Sequence, residues 1–123
     1  MGTITAVARI DHVAFECEDP DAAAAFYEHV LGARIVKAEG HPVMAYLGAG
    51  TALALHERGG PGFHVAFRVS EDERAAIRTQ LDERGIPNEE RDHEIAVGLF
   101  FHDPEGRQLE AITFHGAEDP RRP

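Results

Sequence analysis

Hydrophobic and polar residues alternate in two segments of this chain, and both segments contain the same four letters. The tetrapeptide HVAF stands at residues 12–15 and again at residues 64–67. Successive side chains of a β-strand point to opposite faces, so Val13 and Phe15 share an apolar face while His12 and Ala14 share the other. The same alternation puts His64 on the small and polar face of the second copy. We therefore predict two strands with a histidine at equivalent positions.

A helix signal follows each copy of the tetrapeptide. After the first, Asp19 offers an N-cap, Pro20 stands at the first helical position and Gly32 supplies the stop. After the second, the letters SEDE at residues 70–73 form a capping box, and the apolar periodicity ends near Gly85. Two helices are therefore predicted, each one following a histidine-bearing strand.

Three further strands are predicted after each helix, separated by turns rich in Gly and Pro. The predicted strands lie at about residues 8–16, 33–39, 43–48, 51–57, 62–69, 88–94, 97–102 and 107–114. This order predicts an α+β fold of two βαβββ units, with a curved, mixed, mainly antiparallel sheet and the helices on its outer face. Such a unit cannot close a core alone, so two copies must pack together.

We interpret residues 1–123 as a single domain. Unit one is predicted at about 8–58 and unit two at about 62–114. The polar tail at 115–123, which has proline at 120 and 123, is expected to be mobile.

The charge balance excludes several classes of partner. The 123-residue chain has a formal net charge of −10, which disfavours nucleic acid and anionic membranes because both require clustered Lys and Arg. Acidic charge suits a cationic ligand or metal ions instead. The first residues show no basic segment followed by an apolar core, so no signal peptide is expected. No apolar run approaches the roughly 20 residues of a membrane span, and Cys17 has no second cysteine to pair with. A cytoplasmic location is therefore expected.

Several segments together resemble the vicinal oxygen chelate superfamily. This superfamily includes glyoxalase I, methylmalonyl-CoA epimerase, fosfomycin-resistance thiol transferases, extradiol dioxygenases and bleomycin-resistance proteins. The resemblance covers about residues 8–114 of this chain. It rests on IDHVAF at 10–15, FY at 26–27 leading to LG at 31–32, FHVAF at 63–67, and FHDPEG at 101–106 ahead of LE at 109–110.

The resemblance implies a set of metal ligands. In that superfamily each unit curls into an open cup, and ligands project from its first and last strands. Carried over, the ligands in this chain are His12, His64 and Glu110. Two imidazoles and one carboxylate on one face suit a divalent metal such as Fe, Mn, Ni, Co or Zn, and they leave positions open for water and substrate.

The chain departs from the glyoxalase I pattern at one ligand. The resemblance calls for a fourth ligand opposite Glu110, and this chain has Ala54 there. His56 lies two residues further on the same face, roughly 6–7 Å along the strand. We therefore take His56 and Glu110 as candidate catalytic residues and leave open whether His56 is a fourth ligand or a structural residue. The three-ligand members, thiol transferases and dioxygenases, fit this ligand set better.

These residues favour a metal-dependent enzyme whose small substrate chelates the metal through adjacent oxygens. The reaction is open between lyase, thiol transferase, isomerase and dioxygenase chemistry. Fosfomycin itself is a poor candidate, because a phosphonate needs several cations and Lys37 is the only lysine. The alternatives are a metal-free, ligand-sequestering protein of the bleomycin-binding type, which the acidic charge suits, and a degenerate member with a vestigial triad.

The resemblance also implies a homodimer. In this superfamily a chain of two units usually completes each cup across a dimer interface. The sequence leaves open whether His12 joins His64 and Glu110 of its own chain or of the partner.

Overall fold

The computed structural model describes residues 8–116 and 118–123. A strand, a helix and three strands follow one another, and this order occurs twice. The helices are α1 (Pro20–Leu31) and α2 (Glu71–Glu83); the strands are β1 (Arg9–Cys17), β2 (Arg34–Val36), β3 (Val43–Tyr46), β4 (Ala52–Glu57), β5 (His64–Arg68), β6 (Asn88–Asp92), β7 (Ala96–His102) and β8 (Gln108–Phe114). The predicted α+β class and the duplicated order of elements are confirmed.

The eight strands form one mixed sheet in the order β2-β3-β4-β1-β5-β8-β7-β6. β1 runs parallel to β4, with His12 opposite Ala52 and Ala14 opposite Ala54. The pairs β2–β3, β3–β4, β6–β7 and β7–β8 are antiparallel. β2 ends at Val36, earlier than predicted, because the chain turns before Gly40, which has a φ of 79°.

The chain divides into two compact units. The first comprises Asp11–Val65 with Arg121–Pro123, and the second comprises Ala66–Pro120 with the start of β1.

In the first unit the two faces of β1 have different neighbours, as the alternation predicts. Phe15 and Cys17 pack in one apolar cluster with Ala24 of α1 and with Leu55 of β4. Ala14 points to the opposite face, in a cluster with Met44, Tyr46, Ala52 and Ala54. His12 shares the Ala14 face because it lies two residues away in the same strand.

The second unit repeats this arrangement. Leu81 of α2 packs with Leu99 and Ala111, so one face of β7 and β8 supports the helix. The opposite face carries Ala66, Ala96, Ile112 and Phe114. Glu110 shares the Ile112 face, so its side chain does not point at α2.

The helix ends form as the sequence predicts. The backbone N–H of Ala22 donates to Asp19 Oδ1 at 3.0 Å, and Gly32 adopts a left-handed φ of 69° at the end of α1. At α2 the N–H of Glu73 donates to Ser70 Oγ at 3.1 Å, and the N–H of Ser70 donates to the Glu73 carboxylate at 2.7 Å. The capping box is therefore present in full.

Described residues of the predicted tail make specific contacts. Asp119 is buried, and the Arg122 guanidinium donates to Asp11. The mobility of the tail stays a prediction.

Among the described residues no helix is long and apolar enough to cross a membrane.

Candidate metal centre

His12 is held on the sheet face by its neighbour in sequence. The side chain is 8% exposed, and its Nδ1 lies 2.8 Å from Asp11 Oδ2. A carboxylate oxygen accepts hydrogen bonds, so the proton of the neutral imidazole belongs on Nδ1 and the lone pair on Nε2. This is the arrangement in which protein histidines commonly bind metals.

His64 is oriented in the same way by a different acceptor. It begins β5, it is 2% exposed, and its Nδ1 lies 3.0 Å from the carbonyl oxygen of Gly62. Gly62 has a φ of 80°, and this left-handed conformation belongs to the turn that precedes β5. Since a carbonyl only accepts, the lone pair of His64 again belongs on Nε2. The two imidazole rings lie edge to face, with centroids 5.8 Å apart.

Glu110 supplies a carboxylate from β8. Its side chain is buried, with 4% exposure, and Glu110 lies opposite Phe100 in the β7–β8 ladder. A Cβ atom added at Gly98 would lie only 2.1 Å from Glu110 Oε2. The carboxylate therefore occupies space that a side chain at position 98 would fill.

His12, His64 and Glu110, the three predicted ligands, form one group of potential metal-binding side chains. Each offers a ligand atom, and these atoms all lie within 4.8 Å of one another. A set of two nitrogens and one oxygen fits a divalent transition metal and leaves coordination positions open. The buried triad could therefore hold a metal ion.

His56 lies beside this cluster but outside it. Its ring centroid is 6.4 Å from that of His64, and its side chain is half-buried in β4. Ala54, where the resemblance calls for a fourth ligand, is buried and lies opposite Ala14 and Met44 in the two neighbouring strands. The catalytic roles of His56 and Glu110 stay predictions.

His93 contacts the candidate centre from the loop after β6. Its Nε2 lies 3.5 Å from Glu110 Oε2, and its ring meets the Phe100 ring edge to face at 5.8 Å between centroids. The side chain is 41% exposed, so solvent also reaches it. The sequence predicts a strand over residues 88–94 and does not select His93. The structure ends β6 at Asp92, so strand alternation does not set the direction of the His93 side chain.

Positive charge also lies near Glu110. Arg91 of β6 places its guanidinium carbon 5.1 Å from the Phe100 ring centroid. The hydrogen bond to Glu89 is the main cause that raises the pKa of Arg91, and the charge of Glu110 adds to it. Arg91 and Glu110 therefore interact through their charges, although Arg91 donates its hydrogen bonds to Glu89.

Cys17 does not belong to the candidate centre. It packs in the apolar cluster under α1, and burial raises the pKa of its thiol. A thiol with a raised pKa is a poor nucleophile, because the thiolate is the reactive form.

Two other residues at the centre were also missed by sequence reasoning. Asp11 is adjacent to His12, and adjacent residues of a strand point to opposite faces, so periodicity argued against their contact. Gly98 had a usable signal, since a lone glycine within a strand often marks a close approach of another group.

Comparison with known proteins defines the class. Residues 12–112 match the family model described as a glyoxalase-like domain. The chain is 30% identical over 118 residues to metallothiol transferase FosB of Lysinibacillus sphaericus (strain C3-41), covering 87% of this chain and 83% of that protein. It is 31% identical over 115 residues to metallothiol transferase FosB of Shouchella clausii (strain KSM-K16), covering 85% and 79%. The chain therefore belongs to the glyoxalase-like family, within the vicinal oxygen chelate superfamily.

Solved structures show the same fold at lower identity. Methylmalonyl-CoA epimerase from Mycobacterium tuberculosis superposes with a TM-score of 0.70 at 23% identity, covering 85% of this chain and 86% of that one. A glyoxalase/bleomycin resistance protein/dioxygenase superfamily member from Vibrio splendidus 12B01 superposes with a TM-score of 0.60 at 17% identity, covering 87% and 99%. These structures confirm the fold, and the family model together with the two relatives confirms the sequence-based resemblance at the level of the superfamily.

Proposed function

We propose that this protein is a metal-dependent enzyme that transfers a low-molecular-weight thiol to a small electrophile whose adjacent oxygens bind the metal. The observation that carries the proposal is the buried group His12, His64 and Glu110, whose ligand atoms lie within 4.8 Å of one another. The similarity to two metallothiol transferases favours thiol transfer among the reactions of the superfamily.

His12, His64 and Glu110 would hold the ion. Two nitrogen donors and one oxygen donor can bind Fe, Mn, Ni, Co or Zn. A bound divalent metal would act as a Lewis acid on the substrate oxygens. The Nδ1 contacts of His12 and His64 keep both rings oriented for binding. Ala14 and Ala66 are fully buried and lie two residues after His12 and His64 on the same strand faces, so they would help exclude water.

The other groups of the site have distinct roles in this proposal. His56 lies near His64 and is half-buried, which supports a role in accepting or donating a proton at the substrate. Cys17 is the only cysteine of the chain and packs under α1, so the reacting thiol comes from a separate molecule. A thiol co-substrate agrees with the cytoplasmic location expected from the sequence.

We also propose that the protein forms a homodimer. Large apolar residues are between 47% and 60% exposed at several positions, a pattern that suits a protein interface. They are Ile10, Phe26, Val30, Leu31 and Phe63. Light scattering after size exclusion would give twice the mass of the 13.5 kDa chain. A monomer at all micromolar concentrations would contradict the dimer and leave the metal site unaffected.

The proposed function is tested first by metal binding. Mn²⁺, Fe²⁺, Ni²⁺, Co²⁺ or Zn²⁺ at about 100 times its dissociation constant should stabilise the metal-free protein by about 2.7 kcal/mol. For a domain of this size the midpoint of thermal unfolding rises on the order of 10 °C. His64→Ala should abolish this rise, whereas His29→Ala, which removes an exposed histidine of α1, should preserve it.

The reaction is tested next with the metal-loaded protein. Loss of free thiol is followed with cysteine or glutathione and a panel of small epoxides and α-dicarbonyl compounds. The expected result is metal-dependent thiol loss that His64→Ala removes and His29→Ala keeps. Tight binding of a cationic glycopeptide that His64→Ala does not weaken, together with no metal binding, would favour the ligand-sequestering alternative.

A further inference from the structure

We propose that Arg122 positions the metal ligand His12 by holding the carboxylate of Asp11. The inference rests on the proposed function, because it concerns how one proposed ligand is oriented. Asp11 is 2% exposed, so it is among the most deeply buried side chains of the described chain. Its Oδ2 lies 2.8 Å from His12 Nδ1, and its Oδ1 lies 3.2 Å from Arg122 Nη2. The carboxylate therefore connects the two residues.

Arg122 is itself fixed by an aromatic ring. Its guanidinium carbon lies 5.1 Å from the centroid of the Tyr46 ring, a distance typical of a cation–π contact. Tyr46 is buried in β3, and the Arg122 side chain is only 20% exposed. A planar guanidinium stacked in this way presents its N–H groups in a set direction. Arg122 thus offers Asp11 a rigid donor.

A rigid donor matters because the Asp11 carboxylate has a broad rotational preference of its own. The terminal torsion of an aspartate side chain is poorly restricted by its rotamer wells. When Arg122 engages Oδ1, Oδ2 is directed at His12 Nδ1. This contact keeps the proton on Nδ1 and the lone pair on Nε2, the arrangement that favours metal binding.

A second arginine–aspartate pair provides a matched control. Arg107 Nη1 lies 3.2 Å from Asp103 Oδ2, the same separation as in the Arg122–Asp11 pair. The Arg107 side chain is 68% exposed, and its pair belongs to the turn before β8. Arg107→Gln therefore removes an arginine–carboxylate contact that does not reach His12.

The test begins with the metal-free protein. Long-range ¹H–¹⁵N correlation spectra, with the His12 signals assigned by their absence in His12→Gln, report which ring nitrogen carries the proton. The wild-type protein and Arg107→Gln should show the Nδ1–H tautomer at His12. Arg122→Gln should show a mixture or the Nε2–H form, and Arg122→Lys, which keeps the charge, should recover part of the wild-type signal.

Metal affinity supplies the second readout. Loss of a residue that orients a histidine ligand costs about tenfold to 100-fold in metal affinity, and we expect the lower end for Arg122→Gln. If Arg122 acts through Asp11, Arg122→Gln should have no further effect in an Asp11→Asn background. Independent, additive losses in this double-mutant cycle would overturn the proposal.

The outcomes separate this inference from the proposed function. An Nε2–H tautomer at His12 in the wild-type protein overturns the positioning role, whether or not metal binds. A change in thermal stability in Arg122→Gln with unchanged tautomer and metal affinity shows that Arg122 is structural only. If no metal binds but the tautomer depends on Arg122, the proposed function fails while the Arg122–Asp11–His12 relationship stands.

Discussion

Gly98 leaves the space in which the carboxylate of Glu110 lies. A Cβ atom at position 98 would lie 2.1 Å from Glu110 Oε2, 3.0 Å from Cδ and 3.2 Å from Cγ. Gly98 sits within β7, opposite Ile112 of β8 and Arg91 of β6. A glycine inside a strand weakens it, so its presence here is explained by the side chain that passes over it.

Gly98→Ala should therefore damage the metal site more than the fold. The atoms that the new methyl group would strike belong to the end of a flexible side chain, so the Glu110 carboxylate moves rather than the backbone. We expect metal affinity to fall by about tenfold or more, the loss associated with a displaced ligand, while thermal unfolding without metal changes by a few degrees. Isothermal titration of the metal measures the first, and circular dichroism the second.

Gly48→Ala is the control for this substitution. No atom lies within 4 Å of a Cβ built at Gly48, so its metal affinity should match that of the wild-type protein. Wild-type metal affinity in Gly98→Ala would show that Glu110 is not held where the structure puts it.

His56 should prove separable from metal binding. Its ring is 6.4 Å from the His64 ring, and it is not one of the three residues whose ligand atoms cluster within 4.8 Å. His56→Ala should bind one metal ion per chain with less than a threefold change in affinity and lose most thiol-transfer activity, as expected for a proton-transferring group worth roughly 10²-fold or more. Loss of the metal in His56→Ala would instead make His56 a fourth ligand.

Local chemistry made much of the fold readable from the sequence. The period-two alternation at His12 and Val13 set the two faces of β1, and the same letters at His64 identified the repeat. The helix ends were predicted because caps depend on a few adjacent residues: Asp19 and Gly32 for α1, and Ser70 with Glu73 for α2. These signals require no knowledge of distant contacts.

The residues that contact the proposed ligands could not be predicted from local sequence signals. Arg122 lies 111 residues from Asp11, and no local pattern links them. The Asp11 side chain contacts that of the adjacent His12, although alternation predicts opposite faces for adjacent residues of a strand. His93 contacts Glu110 from a loop. In a loop the direction of a side chain depends on tertiary packing and not on the alternation of a strand. Sequence therefore identified the proposed ligands but not the residues that hold them.

The capping box of α2 allows a stability change that spares the site. Ser70→Ala removes the acceptor of the Glu73 N–H, which should cost about 1 kcal/mol and lower the midpoint of unfolding by roughly 4 °C. Metal affinity should stay unchanged, because α2 packs on the Ala111 face of β8, opposite Glu110. Ser70→Asn keeps an N-cap acceptor and should retain wild-type stability. Equal losses in both variants would mean that the cap contributes little.

Asp103 should give the turn before β8 a stability that depends on pH. Backbone hydrogen bonding from Arg107 is the main cause that lowers the pKa of Asp103, and the Arg107 side chain and the Glu105 N–H lower it further. Because the folded-state pKa lies below the unfolded value of about 3.9, the ionised form stabilises the fold at higher pH. This contribution should be lost as pH falls through the folded-state pKa.

Asp103→Asn isolates that charge, because the amide oxygen can still accept the backbone hydrogen bonds. At pH 7 the variant should unfold at a lower temperature than the wild-type protein, and the difference should shrink as the pH falls below about 3.9. Thermal unfolding between pH 7 and pH 2 measures it, with Glu105→Gln as the control for loss of an exposed carboxylate in the same turn. A difference that stays constant over this range would assign the effect to altered geometry of the turn rather than to the Asp103 charge.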